Sequence, residues 1–172
     1  EGGLGHNTVD NHILLGAGKN NPYGPSGIYE IDTDTGEIQL IRSDVSHEAF
    51  QSEFPEGYNP DETTWKTQHL QYSPSGTRIN YRFDCAHKSF VGNDRQEEFK
   101  LVYTMNRDGS DPVLFGPKPM HFSWFDDDSI AGQDNQIDDG MPNNKSVRRW
   151  DRRGNFIETL AGYGNHLSFS PD

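Results

Sequence analysis

One short phrase occurs three times in this chain. It reads His69-Leu70-Gln71-Tyr72-Ser73-Pro74-Ser75-Gly76, then His121-Phe122-Ser123-Trp124-Phe125-Asp126-Asp127-Asp128, then His166-Leu167-Ser168-Phe169-Ser170-Pro171-Asp172. The histidines stand 52 and then 45 residues apart, and a looser copy, Gly5-His6-Asn7-Thr8-Val9-Asp10, lies 63 residues before His69. Recurrence at about this spacing points to one supersecondary unit copied along the chain, burying its apolar faces against its neighbours.

The stretches between copies say what the unit is. From His69 the pattern predicts a strand over 68–72, a Ser-Pro-Ser-Gly turn and a strand over 78–83. A third strand over 99–106 has alternating Leu101, Tyr103 and Met105, and a short one over 112–115 follows the turn Arg107-Asp108-Gly109-Ser110. The next unit repeats the order with strands over 120–124, 129–132, 147–151 and 156–160. Near the start, strands over 28–32 and 37–40 flank Asp34-Thr35-Gly36, a hairpin signal. Four short strands per period of about 40–50 residues is the arithmetic of a β-propeller blade. The expected fold is all-β, a fragment of a propeller. Its first blade covers about 5–42, the second about 67–116 and the third about 119–161, and a fourth begins over about 164–172.

Composition agrees with strands and turns. Among 172 residues there are 18 Gly and 10 Pro, and no segment keeps a helical period. Hydrophobic residues are 31% and mean hydropathy is −0.92, yet 12% of residues are aromatic, which disordered chains lack. Lys and Arg number 15 against 27 Asp and Glu, a net charge of −12, so no nucleic-acid partner is expected. No apolar run approaches the roughly 18 residues that span a bilayer, so no membrane insertion is expected. The single Cys85 excludes an internal disulfide and a cysteine zinc cage and leaves the compartment open. The chain opens at Glu1 and stops inside the third copy of the phrase, so the remaining blades are expected to lie elsewhere in a longer chain.

The run from Tyr72 to Gly76, the run from Asn106 to Ser110 and the run from Phe169 to Asp172 resemble the blade motifs of TolB-like, PD40-type propellers, a strand followed by Ser-Pro-Asp-Gly and later an Asn-x-Asp-Gly-Ser hairpin. The histidines His69, His121 and His166 also resemble those of the oligogalacturonate lyase family of propellers. That second resemblance implies a histidine cluster at the channel holding a divalent metal that engages a uronate carboxylate.

In a propeller the first strand of each blade lines the channel, and neighbouring first strands converge on the axis. Strand alternation puts Gln71 on the face of His69, Ser123 with His121 and Ser168 with His166. Neutral imidazoles ligate zinc, manganese or iron and leave positions open for water or substrate. Two readings stand side by side. In one, His69, His121 and His166 hold a divalent metal (Mn2+ or Zn2+), with Gln71 or His6 as fourth ligand. In the other, the three rings are a structural signature, each bonded to the backbone of the next blade.

The long connections over 43–66, 84–98 and 133–145 gather on the histidine face, where binding loops are expected. Arg82 and His87 are the candidate catalytic groups, and Lys66, Gln68 and Tyr81 the candidate substrate contacts. Trp65, in the loop before His69, is suited to stack on a sugar ring or to pack under its loop. Arg82 is equally read as a salt-bridge residue, His12 as packing and His47 as solvated. The acidic runs at Asp126-Asp127-Asp128 and Asp138-Asp139 read as a turn and a solvated loop. Arg148, Arg149, Arg152 and Arg153 form a basic patch away from the histidines.

These residues suggest a carbohydrate-active propeller, a metal-assisted lyase that cleaves uronic-acid oligosaccharides by β-elimination. The competing expectation is a non-catalytic TolB-like propeller that binds a protein or another ligand over the same face. A propeller hydrolase is a third; a glycosidase would call for paired carboxylates across the channel, where the assigned positions carry His, Gln and Ser.

Overall fold

Short apolar runs broken by Gly, Pro, Asp and Asn leave the backbone little choice but strands joined by tight turns. The structure, a computed structural model, describes residues 4–6, 10–18, 21–43, 63–87, 98–116, 120–133 and 146–162, and within 4–6, 63–66, 83–87, 98–100, 116 and 120 it describes backbone only. Twelve strands and no helix occur among the described residues. The first sheet holds β1 (Leu4–His6), β2 (His12–Ala17), β3 (Gly27–Asp32) and β4 (Ile38–Ser43). The second holds β5 (Thr63–Tyr72), β6 (Arg78–His87), β7 (Glu98–Asn106) and β8 (Val113–Gly116). The third holds β9 (Met120–Asp126), β10 (Ser129–Gln133), β11 (Val147–Asp151) and β12 (Phe156–Ala161). The chain is thus all-β, three sheets of four strands paired in chain order. The strand expected over 164–172 lies outside the described residues.

The hairpin between the third and fourth strands is built to one plan in all three sheets. The carbonyls of Asp32, Asn106 and Asp151 accept from the amides of Gly36, Gly109 and Gly154 at 2.8, 2.9 and 3.0 Å. Those glycines have φ of +74°, +82° and +82°, a region that a side chain disfavours. The residue after each turn opener, Thr33, Arg107 or Arg152, donates its amide to Asn11, Thr77 or Asp128, each time at 2.9 Å. Each acceptor sits in the turn between the first two strands of the same sheet, so one end of every sheet is laced by the same backbone bond.

Side chains finish these turns. The Asp32 carboxylate accepts from the amides of Thr35 and Asp34, which hold its pKa below the ordinary value. The hydroxyl and amide of Ser110 do the same for Asp108. At Asp151 burial pushes the other way, but the side chain and amide of Asn155 and the amide of Arg153 outweigh it.

The chain divides into two compact units, Glu1–Leu70 with Tyr81–Lys100, and Gln71–Asn80 with Leu101–Asp172. In the first, Leu14 and Ile28 are fully buried, and a side chain on Gly16 would meet the Thr67 carbonyl at 2.6 Å and Leu70 at 3.1 Å. Only glycine lets β2 approach β5 that closely. In the second, Val102 and Phe115 pack with Phe122, Trp124, Ile130 and Trp150. Phe115 meets Trp150 edge-on at 5.9 Å, an orientation that aromatic quadrupoles favour. Burial falls outward across the third sheet: every residue of β10 is buried, whereas β12 exposes Phe156 and Ile157.

The acidic triplet at the β9–β10 turn is a brace. Asp126 accepts from Ser129 at 2.7 Å and the Asp128 amide at 2.9 Å, and pairs with Arg149 at 2.5 Å. Asp127 accepts from the Ser75 amide at 2.9 Å, and Asp128 pairs with Arg78 at 3.3 Å. Burial alone would raise both Asp126 and Asp127. The Ser129 hydroxyl, the Asp128 amide and Arg149 hold Asp126 below the ordinary carboxylate value, and the Ser75 amide and neighbouring hydroxyls do so for Asp127. The expected basic patch is therefore not a free positive surface. Arg149 is paired with Asp126 and Glu158, Arg152 with Asp111 at 2.9 Å, and Arg148 lies over the Phe156 ring.

Candidate functional site

The repeated phrase leaves a shared mark on the backbone. Among the described residues only four residues other than glycine have positive φ, and two of them are His69 (+52°) and His121 (+53°). In β9 the cause is visible in the register: Gln133 pairs with Met120 and Gly132 with Phe122, so His121 is the extra residue of a β-bulge. Bulges re-aim a side chain, and left-handed backbone costs a residue with a Cβ about 1–3 kcal/mol. Histidine tolerates the conformation better than most residues. His69 is exposed and His121 half-buried, whereas Leu70, Tyr72, Phe122 and Trp124 are buried, as strand alternation required.

His69 does not open its strand, however. β5 begins at Thr63, so His69 is its seventh residue, and Trp65 and Lys66 lie on that strand rather than in a loop. Backbone hydrogen bonding outweighs the polar look of Thr63-Thr64-Trp65-Lys66-Thr67, in which threonine and tryptophan are good strand residues. β6 likewise runs on to His87, which was expected at the mouth of a loop. Lys66 and His87 have backbone described but no side chain, and His47, the loops beyond and His166 lie outside the described residues.

His6 is not equivalent to the other two. Ile13 and Ile130, each two residues past the equivalent turn acceptors Asn11 and Asp128, pair with His6 and Trp124, so His6 stands at the place of Trp124. His121 lies three residues before Trp124, whereas His6 lies at the turn end of its strand. The resemblance of Gly5-His6 to the phrase is local spelling without common register, and His6 is withdrawn as a fourth ligand. His12 is corrected too. It is not a packing residue: its Nδ1 bonds the Asp10 carbonyl and lies 3.4 Å from the Asp10 carboxylate. It lines a shallow acidic pocket with Glu30, Asp32, Glu37 and Gln39.

Gln71 is half-buried and held at two points. Its backbone carbonyl accepts from the Trp124 indole at 3.2 Å, and its Oε1 accepts from Asn80 Nδ2 at a long 3.4 Å. Asn80 itself is fully buried on β6, and no sequence argument had singled it out. Only a comparison between sheets marks it: three residues past the turn acceptors Asn11 and Asp128 the other sheets carry Leu14 and Ala131, both apolar. Tyr81 is wholly buried and Arg82 is 8% exposed, so both belong to the packed interior of β6.

Imidazole nitrogens and an amide oxygen are donors that divalent first-row ions accept, so the chemistry of His69, His121 and Gln71 fits a metal. Among the described residues no group of three or more His, Cys, Asp or Glu stands together for one, and the third histidine, His166, is not among them.

No family model matches the chain, and no curated protein matches it. Among solved structures, an oligogalacturonate lyase in complex with manganese aligns over 92% of this chain at 14% identity and a TM-score of 0.47. The chain spans 36% of the length of that structure.

Proposed function

We propose that the three sheets are blades of a larger β-propeller and that the whole protein is a metal-assisted lyase acting on uronic-acid oligosaccharides. The observation that supports this most is the left-handed backbone shared by His69 and His121, which at His121 is the extra residue of a β-bulge. A purely structural imidazole needs no unfavourable backbone, whereas strain of this kind gathers where a side chain must be aimed. In this reading His69, His121 and His166 hold a divalent cation, Mn2+ or Zn2+, with Gln71 Oε1 as fourth ligand. The cation supplies positive charge that neutralises a uronate carboxylate and makes the neighbouring C5 proton acidic.

The chain's own groups do the rest. Arg82 and His87 are the candidates for taking the C5 proton, and Lys66 and Gln68 for binding the sugar. Loss of that proton and departure of the C4 oxygen with its bonding pair leave a C4–C5 double bond. The base ends the step protonated, and the leaving oxygen takes a proton from water. The direct test uses the full-length protein. Metal analysis of the purified protein should find a divalent ion, and oligogalacturonate should yield unsaturated products that absorb in the ultraviolet. Changing His121→Ala should abolish that absorbance and greatly weaken metal uptake. Full activity in the variant rejects the mechanism.

One observation favours the second reading, a non-catalytic TolB-like propeller that binds a protein or another ligand. Tyr81 is a core residue with no exposed surface, which a sugar contact does not explain. A full-length protein that is free of metal and inert on oligogalacturonate would select that reading.

A further inference from the structure

Asn80 is an anomaly of the second sheet. It is fully buried between Ile79 and Tyr81, and its Oδ1 has no hydrogen-bond partner among the described residues. Leaving an amide oxygen buried and unpaired costs about 1–3 kcal/mol. Counted from the shared turn acceptors Asn11, Thr77 and Asp128, the other two sheets avoid that cost with the buried Leu14 and Ala131 at the matching place. Stability therefore does not explain the asparagine. Its Nδ2 donates to Gln71 Oε1, the atom that the proposal above gives to the cation.

We infer that Asn80 is a positioning residue that turns the Gln71 amide so that its oxygen, not its nitrogen, faces the cation. This rests on the reading of Gln71 as a ligand. A free glutamine amide rotates and presents –NH2 as readily as C=O, and an –NH2 group repels a cation. The Asn80 donor on one lone pair of Oε1 stabilises the oxygen-forward orientation and leaves the other lone pair available, and reversing it requires both amides to turn together. The Trp124 bond to the Gln71 carbonyl holds the strand beneath it. Partners one shell out from a metal ligand commonly change affinity by about 10–100-fold.

The test is Mn2+ affinity of the full-length protein, measured by calorimetry or by the electron paramagnetic resonance of free Mn2+, in a cycle of Asn80→Ala and Gln71→Glu. A carboxylate presents an oxygen whichever way it turns, so it needs no positioning. Asn80→Ala should weaken Mn2+ binding about tenfold or more beside the native glutamine and less than about twofold when Gln71→Glu is also present. Equal loss in both backgrounds, or loss in neither, overturns the positioning role, even where Gln71→Ala shows that Gln71 is a ligand. Failure of the unaltered protein to bind Mn2+, or unchanged affinity in Gln71→Ala, overturns the ligand reading and the inference together. If Asn80→Ala does not fold, Asn80→Ser, too short to reach Gln71, serves in its place under the same criteria.

Discussion

The first and third sheets agree at one end and differ at the other. At the hairpin end both use a turn-opening aspartate, a left-handed glycine and a bond from the turn to the preceding hairpin, Thr33 to Asn11 in one and Arg152 to Asp128 in the other. At the opposite end the third sheet carries the bulged His121, whereas the described part of β1 has no such residue and its own histidine sits beside the turn. The end that all copies share is the one that makes a sheet fold. The end that varies is free to carry chemistry.

Glycine substitutions break this comparison most sharply. Gly154→Ala places a Cβ 2.2 Å from the Phe115 carbonyl on a backbone with φ +82°, and should cost about 3 kcal/mol or more in urea unfolding. Gly36→Ala, in the same turn of the first sheet, meets nothing within 4 Å and should cost only the left-handed strain, about 1 kcal/mol. Equal losses would mean that packing against Phe115 does not distinguish the two hairpins.

The carboxylates come next. Asp126, Asp127 and Asp151 have folded-state pKa values below the ordinary one, so an unfolded chain binds protons more readily than the folded one. The stability they contribute is present above the unfolded value of about 3.9 and is lost as pH falls through the lower folded values. Unfolding midpoints should therefore drop steeply below about pH 4. Asp126→Ala should cost about 1 kcal/mol, a figure reduced for solvent screening because that side chain is 45% exposed, and should flatten the drop. An unaltered acid limb in the variant would remove Asp126 from the account.

At the variable end the expected effect is smaller and has an unusual sign. In an ordinary strand position glycine is less stable than alanine. At His121, with φ +53°, His121→Gly should be more stable than His121→Ala by about 1 kcal/mol. The reverse order would show that the left-handed bulge is not intrinsic to that site. Smallest of all is Arg152→Ala, which removes a partly exposed pair with Asp111 at 2.9 Å. A change beyond about 1 kcal/mol would be unexpected for such a pair.

Several of these features were legible before any coordinates. The strands over 120–124, 129–132 and 147–151 fall within β9, β10 and β11, because alternation and turn residues act locally. The burial of Leu70, Tyr72, Phe122 and Trp124 followed from period two. Edges were harder: β5 and β6 run past their apolar stretches, since a polar segment extends a strand wherever a neighbour offers it hydrogen bonds. Asn80 was hidden because a lone asparagine in a strand has no local signature, and its meaning comes from Gln71, nine residues away.

The amino-acid order by itself settled that this chain repeats a strand unit, where its tight turns fall and which face of each strand goes inward, all consequences of backbone sterics and side chains within a few residues of one another. Tertiary structure decided that His6 is no counterpart of His121, that Arg149 and Arg152 of the arginine patch are paired with Asp126, Glu158 and Asp111, and that β2 needs glycine at Gly16 to approach Thr67. Register, charge pairing and close backbone approach each depend on a partner distant in the chain, and no local pattern records which partner that is.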